Sequence, residues 1–330
     1  GRVPICPRLL RHMPLLFVDF PSHSSLIVIY GAFTSALLKL APGPVRALAA
    51  AFTNAMVAIY ERAQATFTAD QHPHYIYSPR ELSRWVRALY EALVGCNNAG
   101  YTPSVDYMAR LVAHEALRLF SDRLVTPAER RVMDNIIDEA IRTHVHSASD
   151  AALARPMLLC NWLTPQISSV DSESLREFIA HRLKVFGEEE MEVKIVLFDE
   201  VLEHILRIDR ILKQPLGHAL LVGTSGSGKT MLSRFVAWLN NMTAFQLKVH
   251  RHYSAADFDK DLRSLLIRAG VQGEKICFIF DESNAVSTAF LERMNCLLAS
   301  GDVPGLFEGT DYTALLADCK DQARKANWPL

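Results

Sequence analysis

GHALLVGTSGSGKTMLSRFV, running from Gly217 to Val236, begins apolar, passes through alternating small residues to a Lys-Thr pair, and continues with helical periodicity. Gly223, Thr224, Ser225, Gly226, Ser227, Gly228, Lys229 and Thr230 satisfy G-x-x-x-x-G-K-[ST]. The three glycines are expected to permit positive φ and to turn backbone N–H groups inward. Those donors, together with the start of a helix, favour anionic oxygens. Lys229 would reach the β and γ phosphates, and the Thr230 hydroxyl would ligate Mg²⁺. The strand expected over His218–Val222 and the helix over Lys229–Asn240 are the context that the motif requires.

A nucleotide site needs a second half, an apolar strand that ends in a carboxylate. Ile276–Phe280 runs directly into Asp281 and Glu282. Asp281 would hold Mg²⁺ through its water shell, and Glu282 would orient or deprotonate an attacking water. Ala244–Val249 and Lys275–Phe280 read as strands. Asp257–Ala269 and Thr288–Leu298 read as helices, and a polar helix is expected to run to Ala326. From Val193 onward this alternation predicts a parallel α/β sheet with helical crossovers.

Upstream the pattern is different. Met13–Phe20, closed by Pro21, reads as a buried strand. Helices are expected over Ser25–Leu40, Val45–Phe67, Pro79–Leu93, Val105–Leu124, Pro127–His144 and Asp171–Phe186. Ala41-Pro-Gly-Pro44 breaks the first pair, and Gly95–Thr102 is expected as a loop. Ser78-Pro79-Arg80-Glu81 has the form of a capping box with proline in the first turn. The acidic run Gly187–Glu190 reads as a solvated helix end.

The 330 residues have a formal net charge of -1, are 50% hydrophobic and 22% charged, and so describe a packed chain with no basic excess for nucleic acid or an anionic membrane. The six cysteines are scattered with no C-x-x-C pair, as expected of buried, inert thiols in a reducing cytosol. The longest apolar run, Leu26–Leu38, is shorter than the roughly 20 residues of a membrane span. The chain opens with Gly1-Arg2 rather than methionine, as expected of a piece of something longer. His114, His250, Arg251 and His252 lack the Cys or carboxylate partners of a metal site and read as structural or solvent-facing groups.

The stretch Phe198–Leu315 resembles the fourth AAA+ module of the cytoplasmic dynein heavy-chain family. FDEVLEHILRIDRILKQPLGHALLVGTSGSGKT, LSRFVAWLN, KVHRHYSAADFDKDLR, FIFDESN and FLERMNCLLASGDVPGLFEG carry the likeness. RLLRHMPLLFVDFP and HYIYSPRELSRWVRALYEAL resemble the end of the third module's large domain and its lid. HEALRLFSDRL and RPMLLCNWL resemble the joint into the fourth. The resemblance implies an α/β fold, a P-loop NTPase (AAA+) partial parallel sheet preceded by an α-helical lid domain. It divides the chain into a C-terminal strand region (1–24), a lid (25–125), a helical connection (126–190) and the first part of the next large domain (191–330).

It also implies roles. Arg80 would be the lid's sensor arginine, and Arg11, with Arg8 as the alternative, an arginine finger; each reads equally as a surface charge. Ile195–Phe198 would pack against adenine. The implied cofactors are ATP and Mg²⁺. The implied partners are neighbouring AAA+ modules, intermediate and light intermediate chains, and microtubules, in a cytoplasmic, cytoskeleton-associated motor, with neither nucleic acid nor membrane. In this family the fourth strand lies between the first and third, and no apolar strand follows Phe280. The chain is therefore expected to be a fragment bridging two modules without a complete ATPase site. Two other readings stay open. One is a non-catalytic helical interaction module with a relic phosphate loop. The other is a small-molecule kinase, for which no acceptor site is recognisable.

Overall fold

The structure is a computed structural model that describes residues 5–190, 195–285 and 287–325. Val193, where the periodicity changes, and Ala326, the expected end of the last helix, lie outside the described residues. The chain forms two compact units, Gly1–Ser169 and Val170–Leu330.

The first unit is helical. The single turn α1 (Pro7–Leu10) is followed by α2 (His23–Leu37), the short α3 (Gly43–Arg46), α4 (Ala49–Thr66), α5 (Pro79–Asn98), α6 (Val105–Ala116) and α7 (Pro127–His144). Local chemistry starts α5 and α7 where the sequence predicts, whereas α2 starts at His23 and the helix expected over Val45–Phe67 is broken at Ala47–Leu48 between α3 and α4. Ser78 with Glu81, and Thr126 with Glu129, form complete capping boxes, with proline in the first turn of each helix. The core is built on α4, α5, α6 and α7, where Phe52, Tyr60, Trp85, Met108 and Ile137 are buried. Below them Tyr77 stacks on Phe120, and Trp85 meets the same ring edge-on. Burial pushes the Tyr77 phenol up to about 12.

Several expectations are corrected here. Met13–Phe20 is extended and exposed, with Phe17 at 85%, and forms no strand because no described residue offers it a ladder. α5 continues through the expected loop to Asn98, because Cys96 is buried and its thiol meets the Tyr107 hydroxyl at 3.2 Å. The helix after Ser104 becomes a π-turn over Leu117–Ser121. A two-residue antiparallel pair, β1 (Leu159–Cys160) with β2 (Ser168–Ser169), closes the unit. Of the cysteines only Cys96 and Cys160 are buried, and Cys6 is exposed. The helical stretch His23–Leu40 is long and apolar enough to cross a bilayer, longer than the apolar run indicates. One of its faces packs on α4 and α5, and the Tyr30 hydroxyl donates to the Pro79 carbonyl at 2.6 Å.

The second unit is a small α/β assembly. Its helices are α8 (Ser172–Glu189), α9 (Asp199–Leu212), α10 (Lys229–Leu239), α11 (Ala255–Gly270), α12 (Thr288–Ser300) and α13 (Gly309–Lys325). Its sheet is one parallel pair, β3 (Thr243–Gln246) with β4 (Ile276–Ile279). A ring-rich core lies beside the pair, where Phe258 stacks on Phe290 with centroids 4.6 Å apart. α8 takes in most of the acidic run that was expected to end it. His218–Val222, expected as the strand before the phosphate loop, has no ladder, and Leu220 is 90% and Val222 88% exposed. A strand exists through its hydrogen-bonded neighbours, and no described residue pairs with this segment.

Candidate functional site

Three groups from neighbouring elements of the second unit hold the phosphate loop in place. Phe186 of α8 meets both Phe235 and Trp238 of α10 edge-on, and the Trp238 indole donates to Glu189 at 2.9 Å. The buried Asp209 of α9 accepts from Lys213 Nζ at 2.6 Å and from Asn240 Nδ2 at 2.7 Å, which ties α9 to the far end of α10. Gly217, at the exit of α9, is an obligatory glycine: a Cβ there would lie 1.8 Å from the Ile211 carbonyl oxygen. The backing of α10 is therefore fixed, and the loop at its N-terminus is open to solvent.

Within the loop only Gly226 (φ 81°) and Gly228 (φ 80°) take positive φ. Gly223 does not, which corrects the expectation for all three glycines. A Cβ there would make only ordinary contacts, 3.4 Å from Ser227 Oγ and 3.9 Å from Lys229 Cδ. Gly228 caps α10 with no side-chain hydrogen bond, so the cap itself leaves the first N–H groups of the helix uncovered. The Lys229 ammonium folds back over the loop and donates to the carbonyls of Gly223 (2.9 Å) and Thr224 (2.7 Å), with Ser227 Oγ at 3.3 Å. A half-buried cation, a helix N-terminus open to solvent and a loop turned by two positive-φ glycines suit a polyphosphate. Thr230, in the first turn of α10, is half-buried.

The carboxylate half sits in a tight turn just beyond β4. The Asp281 N–H donates to Asn284 Oδ1 at 3.2 Å, and Asn284 Nδ2 donates to the Leu247 carbonyl at 3.2 Å. Asn284 is only 2% exposed, so this amide pins the turn to the end of β3. Asp281 Oδ1 accepts from Ser283 N–H at 3.0 Å and Ser283 Oγ at 2.5 Å. Asp281 Oδ2 accepts from Gln246 Nε2 at 2.7 Å, and Gln246 Oε1 accepts from Arg234 of α10 at 2.6 Å. One polar chain thus joins the phosphate helix to the carboxylate. Glu282 is exposed beside it.

Sequence reading missed Arg234, Gln246 and Asn284. The only available signals were a lone glutamine in the run TAFQLKV and an asparagine three residues after Asp281. In the segment expected at adenine, Ile195 and Leu197 are half-buried and Val196 and Phe198 are exposed. In the first unit, Arg80 is exposed in the first turn of α5. Arg8 and Arg11 are exposed around α1, and Arg11 Nε donates to His12 at 3.2 Å. The expected strand behind Arg11 does not form, so that arginine lacks the rigid base that the resemblance implies. His114 is buried beside Glu115, with Nδ1 and Oε1 3.1 Å apart. His250, Arg251 and His252 are exposed, and among the described residues no group of three or more His, Cys, Asp or Glu is placed to hold a metal ion.

Comparison with known proteins matches the sequence of this chain to a family. Residues 193–329 match the family described as the P-loop containing dynein motor region D4, and residues 33–130 match the dynein heavy chain ATPase lid domain. The cytoplasmic dynein heavy chain of Dictyostelium discoideum is 55% identical over 98% of this chain. The chain belongs to the dynein heavy-chain family. The corresponding heavy chains of Caenorhabditis elegans and Drosophila melanogaster are each 52% identical over 98% of the chain. The chain spans about 7% of the length of these dynein relatives. The dynein motor-region match covers both Lys229 and Asp281, and the lid match covers Arg80.

Proposed function

We propose that this chain is an ATP-binding portion of a dynein-type AAA+ ring motor, joining the lid of one module to the nucleotide-binding part of the next. The observation that carries the reading is the open loop Gly223–Thr230. Its lysine is held on two carbonyls that a phosphate would replace, and it is linked through α10 to Asp281. The loop N–H groups and Lys229 would hold the β and γ phosphates, while Thr230 and Asp281 would hold Mg²⁺. The bound ion would neutralise phosphate charge. Glu282, exposed next to Asp281, would orient water. Arg80 would act as a sensor for the nucleotide of the lid's own module and Arg11 as a finger toward that of the preceding module, and Ile195–Phe198 would pack on adenine.

The wider setting belongs to the same proposal: an ATP-driven, minus-end-directed microtubule motor in the cytoplasm, working with neighbouring AAA+ modules and with intermediate and light intermediate chains. With the segment before the loop unpaired, hydrolysis by the chain itself is expected to be slight. Titration of the chain with a fluorescent ATP analogue and Mg²⁺, competed by ATP, tests the reading, and saturable, competable binding is expected. Absence of binding would favour the alternative, a helical interaction module carrying a relic loop.

A further inference from the structure

Gln246 is the last residue of β3 and stands opposite Ile279 in the parallel register. Asp281 follows two residues later, in the turn just beyond β4, within hydrogen-bond reach of the Gln246 amide. The glutamine bridges two charged groups, with Nε2 2.7 Å from Asp281 Oδ2 and Oε1 2.6 Å from the Arg234 guanidinium. A guanidinium has donors only, and an ionised carboxylate has acceptors only. The amide therefore has one orientation. Turned over, it would set NH₂ against the guanidinium and the carbonyl against the carboxylate.

All three residues are half-buried, where these charge-assisted bonds are stronger than in water. The Ser283 N–H and hydroxyl hold the other carboxylate oxygen, so Asp281 is gripped on both oxygens. The glutamine also separates Arg234 from Asp281. A guanidinium in direct contact with that carboxylate would compete with any cation for its lone pairs. Arg234 itself sits on the helix whose first turn carries Lys229 and Thr230.

We propose that Gln246, locked by Arg234, is a positioning residue that presents Asp281 to the magnesium ion and ties the cation half of the site to the phosphate helix. This rests on the Mg-ATP reading above. The test compares the affinity of the whole chain for a fluorescent ATP analogue in excess Mg²⁺ with that in excess EDTA. Gln246→Leu keeps the bulk of the side chain and removes the amide. The expected result is an EDTA affinity within about twofold of wild type and an Mg²⁺ affinity weaker by about tenfold or more, the scale of one hydrogen bond to a charged group. Arg234→Met frees the amide to turn and should shift the Mg²⁺ affinity in the same direction by less.

A Gln246→Leu chain with the wild-type ratio of the two affinities overturns the proposal. So does an equal loss in both conditions, which would mark a merely structural role. A wild-type chain that binds the analogue with no gain from Mg²⁺ overturns it while leaving nucleotide binding intact. A wild-type chain that binds in neither condition overturns the underlying function as well.

Discussion

Replacing Lys229 with alanine removes the one charge that the loop Gly223–Thr230 folds around. Its Nζ lies 2.9 Å and 2.7 Å from the carbonyl oxygens of Gly223 and Thr224, and 3.3 Å from Ser227 Oγ. Those acceptors belong to an exposed loop, so water takes the place of the ammonium and the fold loses little. Bound triphosphate depends on the lysine far more. A hydrogen bond from a cation to an anionic oxygen contributes about 1.5–3 kcal/mol. Part of that is offset, because Nζ must release a carbonyl contact worth about 0.5 kcal/mol or more to reach the phosphate. A net of about 1–2.5 kcal/mol corresponds to a loss of roughly 5- to 70-fold in affinity. Titration of wild type and Lys229→Ala with a fluorescent ATP analogue at one fixed salt concentration measures it. The thermal midpoints of the two chains should coincide within a degree or two. Equal affinities, within about twofold, would refute the claim that this loop grips phosphate.

Three further outcomes follow from the same geometry. Gly228→Val places a β-branched residue at φ 80°, a conformation costing an L-residue about 1–2 kcal/mol or more, and nucleotide titration should show binding lost before the chain unfolds. Glu81→Ala removes the acceptor of the Ser78 N–H and hydroxyl and of Arg123, and should lower the stability of the helical unit by about 2–4 kcal/mol in urea denaturation. The Tyr77 hydroxyl is buried with no hydrogen-bond partner among the described residues, and desolvation raises its pKa to about 12. Its neutral form therefore stabilises the fold fully below pH 10, and that stability, about 2–3 kcal/mol, is lost as pH rises from 10 to 12. Tyr77→Phe should flatten the alkaline end of the stability profile at no cost at neutral pH.

The features legible in the sequence are those encoded within a few residues. Ser78 with Glu81 announces a helix start and forms a complete capping box, as do Thr126 with Glu129 and Ser254 with Asp257, although the helix expected from Asp257 begins at Ala255. The phosphate-loop motif is equally local, and alternation predicts a parallel sheet with strands over Ala244–Val249 and Lys275–Phe280, which the structure shows as the shorter pair Thr243–Gln246 and Ile276–Ile279. Features decided by distant partners were not legible. Met13–Phe20 and His218–Val222 have the composition of strands, but a ladder needs a second chain segment, and composition cannot supply one. Gln246 and Asp281 become neighbours only through the register between two separate strands. Cys96 keeps α5 helical past Gly95 through burial and the Tyr107 hydroxyl, which a turn-rich stretch of sequence conceals.

These differences bear on how the site is held. In a nucleotide fold the loop usually gains rigidity from the strand before it. Here that segment is exposed, and the loop is positioned from its other end, where Phe186, Phe235 and Trp238 pack and Asp209 holds Asn240. α10 is thus the fixed member, and the carboxylate turn reaches it through the side chains of Arg234 and Gln246. Phe235→Ala would remove a fully buried ring at a cost of about 3–5 kcal/mol and loosen α10 against α8. It should therefore weaken nucleotide binding with and without Mg²⁺ alike, whereas loss of the Gln246 amide should act on the Mg²⁺-dependent part alone. Parallel titrations of the two variants separate support of the helix from presentation of the carboxylate, and identical profiles would mean that the polar bridge adds nothing to the packing.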